Sequence, residues 1–268
     1  ALAMPFLHKS ARGVAMSLIK RLFKPPKQSY FLFGPRGTGK TTLIKTLYHD
    51  ALRIDLLNPG TLRRYLAKPE QLYQTISGYP NKKTIVIDEV QKAPELLSVV
   101  HDLIETDKTL QFILTGSSSR KLKKEGVNLL GGRALKKHLY PFIASELGAQ
   151  FSLEQAIING TLPLVIETEN PHETLEAYLE LYIQEEVRNE GLVRNMENFA
   201  RFLEAISFSH GTVISLTNIA RESEVKRKTV ENYISILEDL LIAFQLPVFS
   251  HQATRNLISH QKFYLFDA

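Results

Sequence analysis

Residues 30–42 read Tyr30-Phe31-Leu32-Phe33-Gly34-Pro35-Arg36-Gly37-Thr38-Gly39-Lys40-Thr41-Thr42. Four apolar residues run into a glycine-rich turn, and Leu43, Ile44 and Leu47 then recur at helical spacing. A short run that is apolar on both faces predicts a buried strand of a parallel sheet. The spacing Gly34-x-x-x-x-Gly39-Lys40-Thr41 is that of a phosphate-binding loop in its strand–loop–helix setting. Glycines 34, 37 and 39 permit positive φ angles and a close backbone approach. The loop amides and the helix N-terminus then point at an anion. Gly34, Pro35, Arg36, Gly37, Thr38, Gly39, Lys40, Thr41 and Thr42 are the candidate nucleotide-binding residues. Lys40 is expected on the outer phosphates and the Thr41 hydroxyl on Mg²⁺. A glycine-rich turn without a ligand is the plainer alternative; the strand before and helix after favour the nucleotide seat.

Composition narrows the class. With 268 residues, the chain is near the length at which one hydrophobic core stops growing, so one large or two smaller domains are expected. The 44% hydrophobic and 23% charged content is that of a globular protein. The absence of cysteine excludes disulfides and thiolate metal sites and suits a reducing, cytoplasmic setting. No apolar stretch is long enough to span a bilayer, so no membrane partner is expected. The net charge of +5 is compatible with polyanions, nucleotide or nucleic acid, and equally with plain solubility.

Outward from the loop, strands and helices alternate. Leu18, Ile19, Leu22 and Phe23 recur at helical spacing until Pro25-Pro26, predicting a helix from Ser17. Residues 1–15 read as an extension or cloning remnant, with Met16 the natural start. Leu52–Leu56 predicts a second strand, Asn58-Pro59-Gly60 a turn, and 61–66 and 69–76 two helical stretches. Thr84-Ile85-Val86-Ile87-Asp88-Glu89 is an apolar strand that delivers two acids to its C-terminal edge, where open α/β sheets bind ligands. Pro94 suits the first turn of a helix running to about Glu105. Leu110–Thr115 predicts another buried strand before Gly116 and three serines. A basic run, Lys121–Lys124, precedes Gly126, the turn Gly131-Gly132-Arg133, and a last strand from Leu135 to Tyr140. This alternation argues a parallel, doubly wound sheet. From about residue 145 only helical periodicity is seen: 146–158, 173–190 and 195–208. The last part reads as a helix–turn–helix, with Ser215 or Thr217 capping its first helix. Strand-like runs at 244–249 and 262–266 supply a wing. The chain stops at Asp267-Ala268 directly after an apolar strand, which suggests a truncated product.

The chemistry-bearing residues follow. Asp88 is expected to hold Mg²⁺, through water, because that ion keeps much of its hydration shell. Glu89 is the candidate general base that orients the attacking water. Two solvated acids at a strand end would be the plainer reading, were they not downstream of a phosphate loop. Thr115 is a candidate γ-phosphate sensor, with Ser117 its rival and an ordinary strand terminator the alternative. Arg133, after two glycines, could complete a neighbouring subunit's site, although spacing alone favours a surface arginine. Lys226, Arg227 and Lys228 open the second helix of the pair, where positive charge suits phosphate contact; Glu224 and Glu231 flank them. A module used only for protein packing is the alternative. Tyr178, Leu181 and Tyr182 read as core, and the histidines show no metal spacing.

The strings GPRGTGKTT, IVIDEVQKAPELL, FILTGSSSRKL, GGR, NGTLPLV, LEDLLIAFQLPVF and KFYLFDA together resemble prokaryotic AAA-type ATPases. In that group a winged-helix module precedes an uncharacterised C-terminal domain (DUF4143-type). The resemblance covers Met16 to Ala268. It implies an ASCE-type P-loop fold in which the Thr115 strand separates the phosphate-loop and Asp88 strands. It implies ATP rather than GTP, Glu89 as catalytic base and Arg133 as the arginine finger. One departure stands out: the family shows Gly-Gly where Gly160 is followed by Thr161. The family also continues beyond FYLFDA, so the resemblance implies that a final domain lies outside the given sequence.

The expected architecture is thus α/β: a P-loop NTPase sheet flanked by helices over 16–145, a helical lid over 146–210 and a winged helix over 211–268. The expected function is Mg²⁺-dependent ATP hydrolysis by a homo-oligomer that binds ATP and ADP. The catalytic set is Lys40, Glu89, Thr115 and Arg133, with Thr41 and Asp88 at the metal. The rivals are a slow nucleotide-gated switch and a winged-helix DNA-binding regulator whose conformation ATP sets.

Overall fold

A computed structural model describes residues 19–117, 130–183, 187, 193, 195–247 and 261–267. Five parallel strands form the first sheet: β1 (Tyr30–Phe33), β2 (Leu52–Asp55), β3 (Thr84–Asp88), β4 (Gln111–Gly116) and β5 (Leu135–His138). Their spatial order is β2-β3-β4-β1-β5, so the Thr115 strand lies between the phosphate-loop strand and the Asp88 strand, as the resemblance implied. Helices α1 (Lys40–Leu47), α2 (Pro59–Ala67), α3 (Gln71–Ser77) and α4 (Leu96–Thr106) connect them.

The apolar runs explain the layering. All four residues of β1 are buried, and their alternation sends them to opposite faces. Tyr30 and Leu32 pack with Val86, Ile113, Leu43 and Ile44 on the α1 side. Phe31 and Phe33 join Ile85, Ile87, Phe112 and Leu114 on the α4 side. Register then aligns the carboxyl ends: Leu32 lies opposite Thr115, Phe33 opposite Gly116, and Ile87 opposite Leu114. Gly34, Asp88 and Thr115 therefore emerge along one sheet edge.

Several local expectations are revised. Residues 19–26 are not helical. The Leu22 amide donates to Glu146 Oε1 at 2.7 Å, and the Arg21 guanidinium lies 4.5 Å from the centre of the Phe142 ring. Those long-range anchors tie the segment to residues 142 and 146. Asn58-Pro59-Gly60 starts α2 rather than forming a separate turn: Asn58 Oδ1 accepts from the Gly60 and Thr61 amides at 2.9 and 3.0 Å, and Pro59 fits the first helical position.

Beyond β5, the helix expected over 146–158 is broken at Gly148, whose φ is 55°, into α5 (Ala144–Leu147) and α6 (Leu153–Asn159). Two short helices follow, α7 (Pro163–Ile166) and α8 (Pro171–Ala177), then a π-helical stretch over Tyr178–Ile183. Helices α9 (Met196–Ser207), α10 (Leu216–Glu222) and α11 (Arg227–Asp239) pack with an antiparallel pair, β6 (Ala243–Leu246) and β7 (Lys262–Leu265). Their core holds Phe199, Phe202, Tyr233, Leu237 and Phe263. The basic run Lys121–Lys124, residues 1–15 and the side chains of Leu181 and Tyr182 lie outside the described residues.

Candidate nucleotide site

The loop between β1 and α1 is shaped by contacts that exclude larger residues. A Cβ at Gly34 would fall 2.2 Å from the Leu139 carbonyl oxygen, so only glycine lets β5's continuation pass. Gly39 takes φ 83° and ends the loop at the N-terminus of α1, with open space where its Cβ would be. Pro35 and Thr38 are buried, Arg36 is exposed, and Thr42 is on the outer face of α1.

Lys40 is only 6% exposed. Its Nζ donates to the carbonyls of Gly34 at 2.7 Å and Pro35 at 2.9 Å, and Thr38 Oγ1 donates to the same Pro35 oxygen at 2.8 Å. The ammonium is thus folded over the loop.

Across the edge, Thr41 Oγ1 donates to Asp88 Oδ2 at 2.9 Å. Thr115, fully buried, donates its hydroxyl to the other Asp88 oxygen. The same Thr115 oxygen accepts the Glu89 amide at 3.1 Å. A hydroxyl has one hydrogen; here Thr115 gives it to Asp88 and its oxygen takes the Glu89 amide. Asp88 faces the loop, held by one hydroxyl on each oxygen. A hydroxyl and a carboxylate in contact are the oxygen donor set that a hydrated Mg²⁺ takes, so these residues fit that ion.

Glu89 has φ 59° and ψ 48°. Left-handed geometry at a non-glycine residue stores strain of order 1 kcal/mol or more and gathers at functional sites. Its carboxylate accepts from Gln91 Nε2, and that nitrogen also lies 3.1 Å from Ser117 Oγ. Gln91 is 7% exposed and packs on Gly116, where a Cβ would fall 2.7 Å from its Oε1. Gln91 lies within IVIDEVQKAPELL, where no local pattern marks it as a partner of Glu89. Ser117, the rival sensor, is joined to Glu89 through Gln91.

Arg133 is elsewhere. Leu135 pairs with Tyr30 at the start of β1, so Arg133 lies off the opposite edge of the sheet from Gly34. The four steps of β1 alone separate them by roughly 13 Å. Arg133 Nε donates to Glu105, and Lys108 Nζ meets the same carboxylate at 2.9 Å. Hydrogen bonds from Arg133 and then Lys108 hold the Glu105 carboxyl down to about 2. Arg133 does not serve its own chain's loop.

Comparison with known proteins adds a family. Residues 26–148 match the AAA domain family model. The first half is thus similar to AAA domains. Residues 150–268 match a domain of unknown function, DUF8612. An uncharacterised protein of Mycobacterium tuberculosis is 26% identical over 263 residues, covering 96% of this chain and 57% of that one. One from Methanocaldococcus jannaschii is 24% identical over 273 residues, covering 90% and 61%. The chain thus spans little more than half the length of these curated relatives. Among solved structures, the replication initiator DnaA bound to AMPPCP and single-stranded DNA is 16% identical, with a TM-score of 0.33 over 79% of this chain and 82% of that one. Domain III of the Thermotoga maritima replication initiation protein DnaA is 19% identical, with a TM-score of 0.31 over 61% and 79%.

The second half also reaches the loop. Tyr178 Oη donates to the Arg36 carbonyl at 3.1 Å, and the Leu164 amide to the Gly37 carbonyl at 3.4 Å. The Tyr178 ring is buried, as expected of a core residue, and its hydroxyl has a partner 142 residues away. Arg227 Nε and Lys228 Nζ, at the start of α11, both lie 3.4 Å from Glu231. No helix among the described residues is long and apolar enough to cross a membrane.

Proposed function

We propose that the protein binds ATP with Mg²⁺ and hydrolyses it, and that a second copy completes the site. The contact that carries the reading is Thr41 to Asp88 at 2.9 Å, which sets both oxygen donors beside the phosphate loop. Loop amides and Lys40 would hold the phosphates, and Thr41 and Asp88 would hold Mg²⁺. The ion, when bound, supplies charge neutralisation on the phosphate oxygens as the γ-phosphoryl group leaves. Glu89 accepts a proton from the attacking water, once its carboxylate exchanges Gln91 for that water. Thr115 keeps Asp88 and the Glu89 backbone in register. Arg133, at the far edge of its own sheet, acts on a neighbour's γ-phosphate after leaving Glu105.

In this reading, residues 146–210 form a lid and residues 211–268 a winged helix, with β6 and β7 as its wing. The client is a partner outside this chain. DNA contact through Lys226, Arg227 and Lys228 is the second reading, and Glu231 already offsets part of that charge.

Titration with a fluorescent ATP analogue, with and without Mg²⁺, tests the binding. Wild type should bind more tightly with Mg²⁺. Lys40→Ala should lose most affinity in both conditions, and Asp88→Ala should lose only the Mg²⁺ increment. An affinity indifferent to Mg²⁺ and to Asp88 would remove the metal assignment.

A further inference from the structure

Asp267 lies two residues past β7, and Phe266 ties that end to the helical unit by donating its amide to the Ile242 carbonyl at 2.8 Å. Its carboxylate reaches back to the turn before α7. The Thr161 amide donates to Asp267 Oδ1 at 3.0 Å and Oδ2 at 2.8 Å, and Thr161 Oγ1 to Oδ1 at 3.2 Å. Gly160 has φ 71°, and a Cβ there would fall 2.6 Å from Asp267 Oδ2. The approach therefore needs glycine at 160. The Thr161 hydroxyl adds a further bond to that carboxylate.

The turn that Asp267 holds leans on the phosphate loop. Leu162 and Leu164 both lie 3.2 Å from where a Gly37 Cβ would be. The Leu164 amide and the Tyr178 hydroxyl take the carbonyls of Gly37 and Arg36. A trans peptide is planar, with its C=O and N–H pointing opposite ways. Fixing the Arg36 and Gly37 carbonyls toward the second half therefore turns the Gly37 and Thr38 amides the other way, toward the inside of the loop. An apolar cavity of about 430 Å³, bordered by Leu162, Tyr178, Leu203 and Phe266, lies beside this junction. Close packing does not fill it, which leaves alignment to the polar contacts.

We infer that Asp267 is a positioning residue through which the second half sets the loop's affinity for a triphosphate. The inference rests on the nucleotide reading above and adds its regulation. A partner that pulls the end of β7 away from Thr161 would slacken the Leu162–Leu164 turn and let the Arg36 and Gly37 peptides rotate. By linkage, a bound nucleotide would resist that displacement by the same factor.

The test compares wild type, Asp267→Ala, Asp267→Asn and Tyr178→Phe in the full chain, using a fluorescent ATP analogue and amide hydrogen exchange of the peptide spanning 34–42 without nucleotide. Asp267→Ala should weaken binding about 5- to 150-fold, the usual range of coupling between sites, and speed exchange in that peptide. Asp267→Asn, which keeps one oxygen for the Thr161 amide, should recover much of both. Tyr178→Phe should weaken binding without touching Asp267 and combine with Asp267→Ala less than additively. Unchanged exchange in Asp267→Ala overturns the inference, and so does faster exchange with unchanged affinity. If wild type binds no analogue while exchange still responds, the nucleotide reading fails and the mechanical link stands.

Discussion

Replacing Thr115 with valine removes one hydroxyl at nearly constant volume, and two consequences follow from its contacts. Asp88 loses one of two hydroxyl donors, and the Glu89 amide loses its acceptor at 3.1 Å. A hydrogen bond to a charged group contributes roughly 1.5–3 kcal/mol, and an amide left without a partner costs about 1–3 kcal/mol when buried. The added methyl returns about 0.8 kcal/mol. The net expectation is a loss of roughly 2–5 kcal/mol in unfolding free energy, measured by urea denaturation without nucleotide. Asp88 keeps Thr41, so the effect on ligand should appear in the Mg²⁺ complex alone. Affinity for Mg²⁺–ATP should fall about tenfold, equivalent to ~1.4 kcal/mol, while affinity for ATP in chelator stays within about twofold (~0.4 kcal/mol). Equal losses with and without Mg²⁺ would refute the role given to Thr115. A variant as stable as wild type would refute the hydrogen-bond reading itself.

Other expectations concern the loop, the far edge and the second half. Gly34→Ala should fail to bind nucleotide or fail to fold, because its Cβ would meet the Leu139 carbonyl at 2.2 Å; a folded variant with normal affinity would contradict that contact. Arg133→Ala and Lys40→Ala should each be nearly inactive alone and regain phosphate release when mixed, since each supplies what the other lacks. Absence of recovery would count against a shared site. Glu105 has its carboxyl lowered to about 2 from 4.5, so its pairing with Arg133 is fully present above pH 4.5 and is lost as pH falls toward 2. Nuclear magnetic resonance titration of the Glu105 carboxyl should show this, and Arg133→Ala should return the midpoint toward 4.5. For the DNA reading, affinity should fall steeply with salt and with Lys226→Ala; a flat salt profile would remove it.

Much of the first sheet was legible because its strands are short apolar runs with marked ends. Tyr30–Phe33, Thr84–Asp88 and Gln111–Gly116 all lie close to where hydrophobicity and glycine placed them. The candidate site's local geometry was legible where one segment carries it: a strand, turn and helix around Gly34–Thr41, and a strand that ends at Asp88. It was not legible where the partner is remote. Asp267 meets Thr161 across 106 residues, and no local pattern announces such a bond. Gln91 was visible as a residue but not as a hand on Glu89, because that depends on a left-handed backbone at 89. The expected helix before Pro25 failed for a related reason. Its periodicity is brief, and contacts with Glu146 and Phe142 take the place of helical packing. The contact of Thr115 with Asp88 was not legible either, because it arises only when β3 and β4 become neighbours.

The most direct measurement is inorganic phosphate release from Mg²⁺–ATP by wild type and Glu89→Gln at protein concentrations high enough for copies to associate. The proposal expects steady release from wild type. It expects Glu89→Gln to bind the nucleotide as well as wild type does and to release phosphate at least about a hundredfold more slowly, the lower end of what a general base contributes. Equal rates from the two proteins, or no release from wild type that demonstrably binds Mg²⁺–ATP, would contradict it.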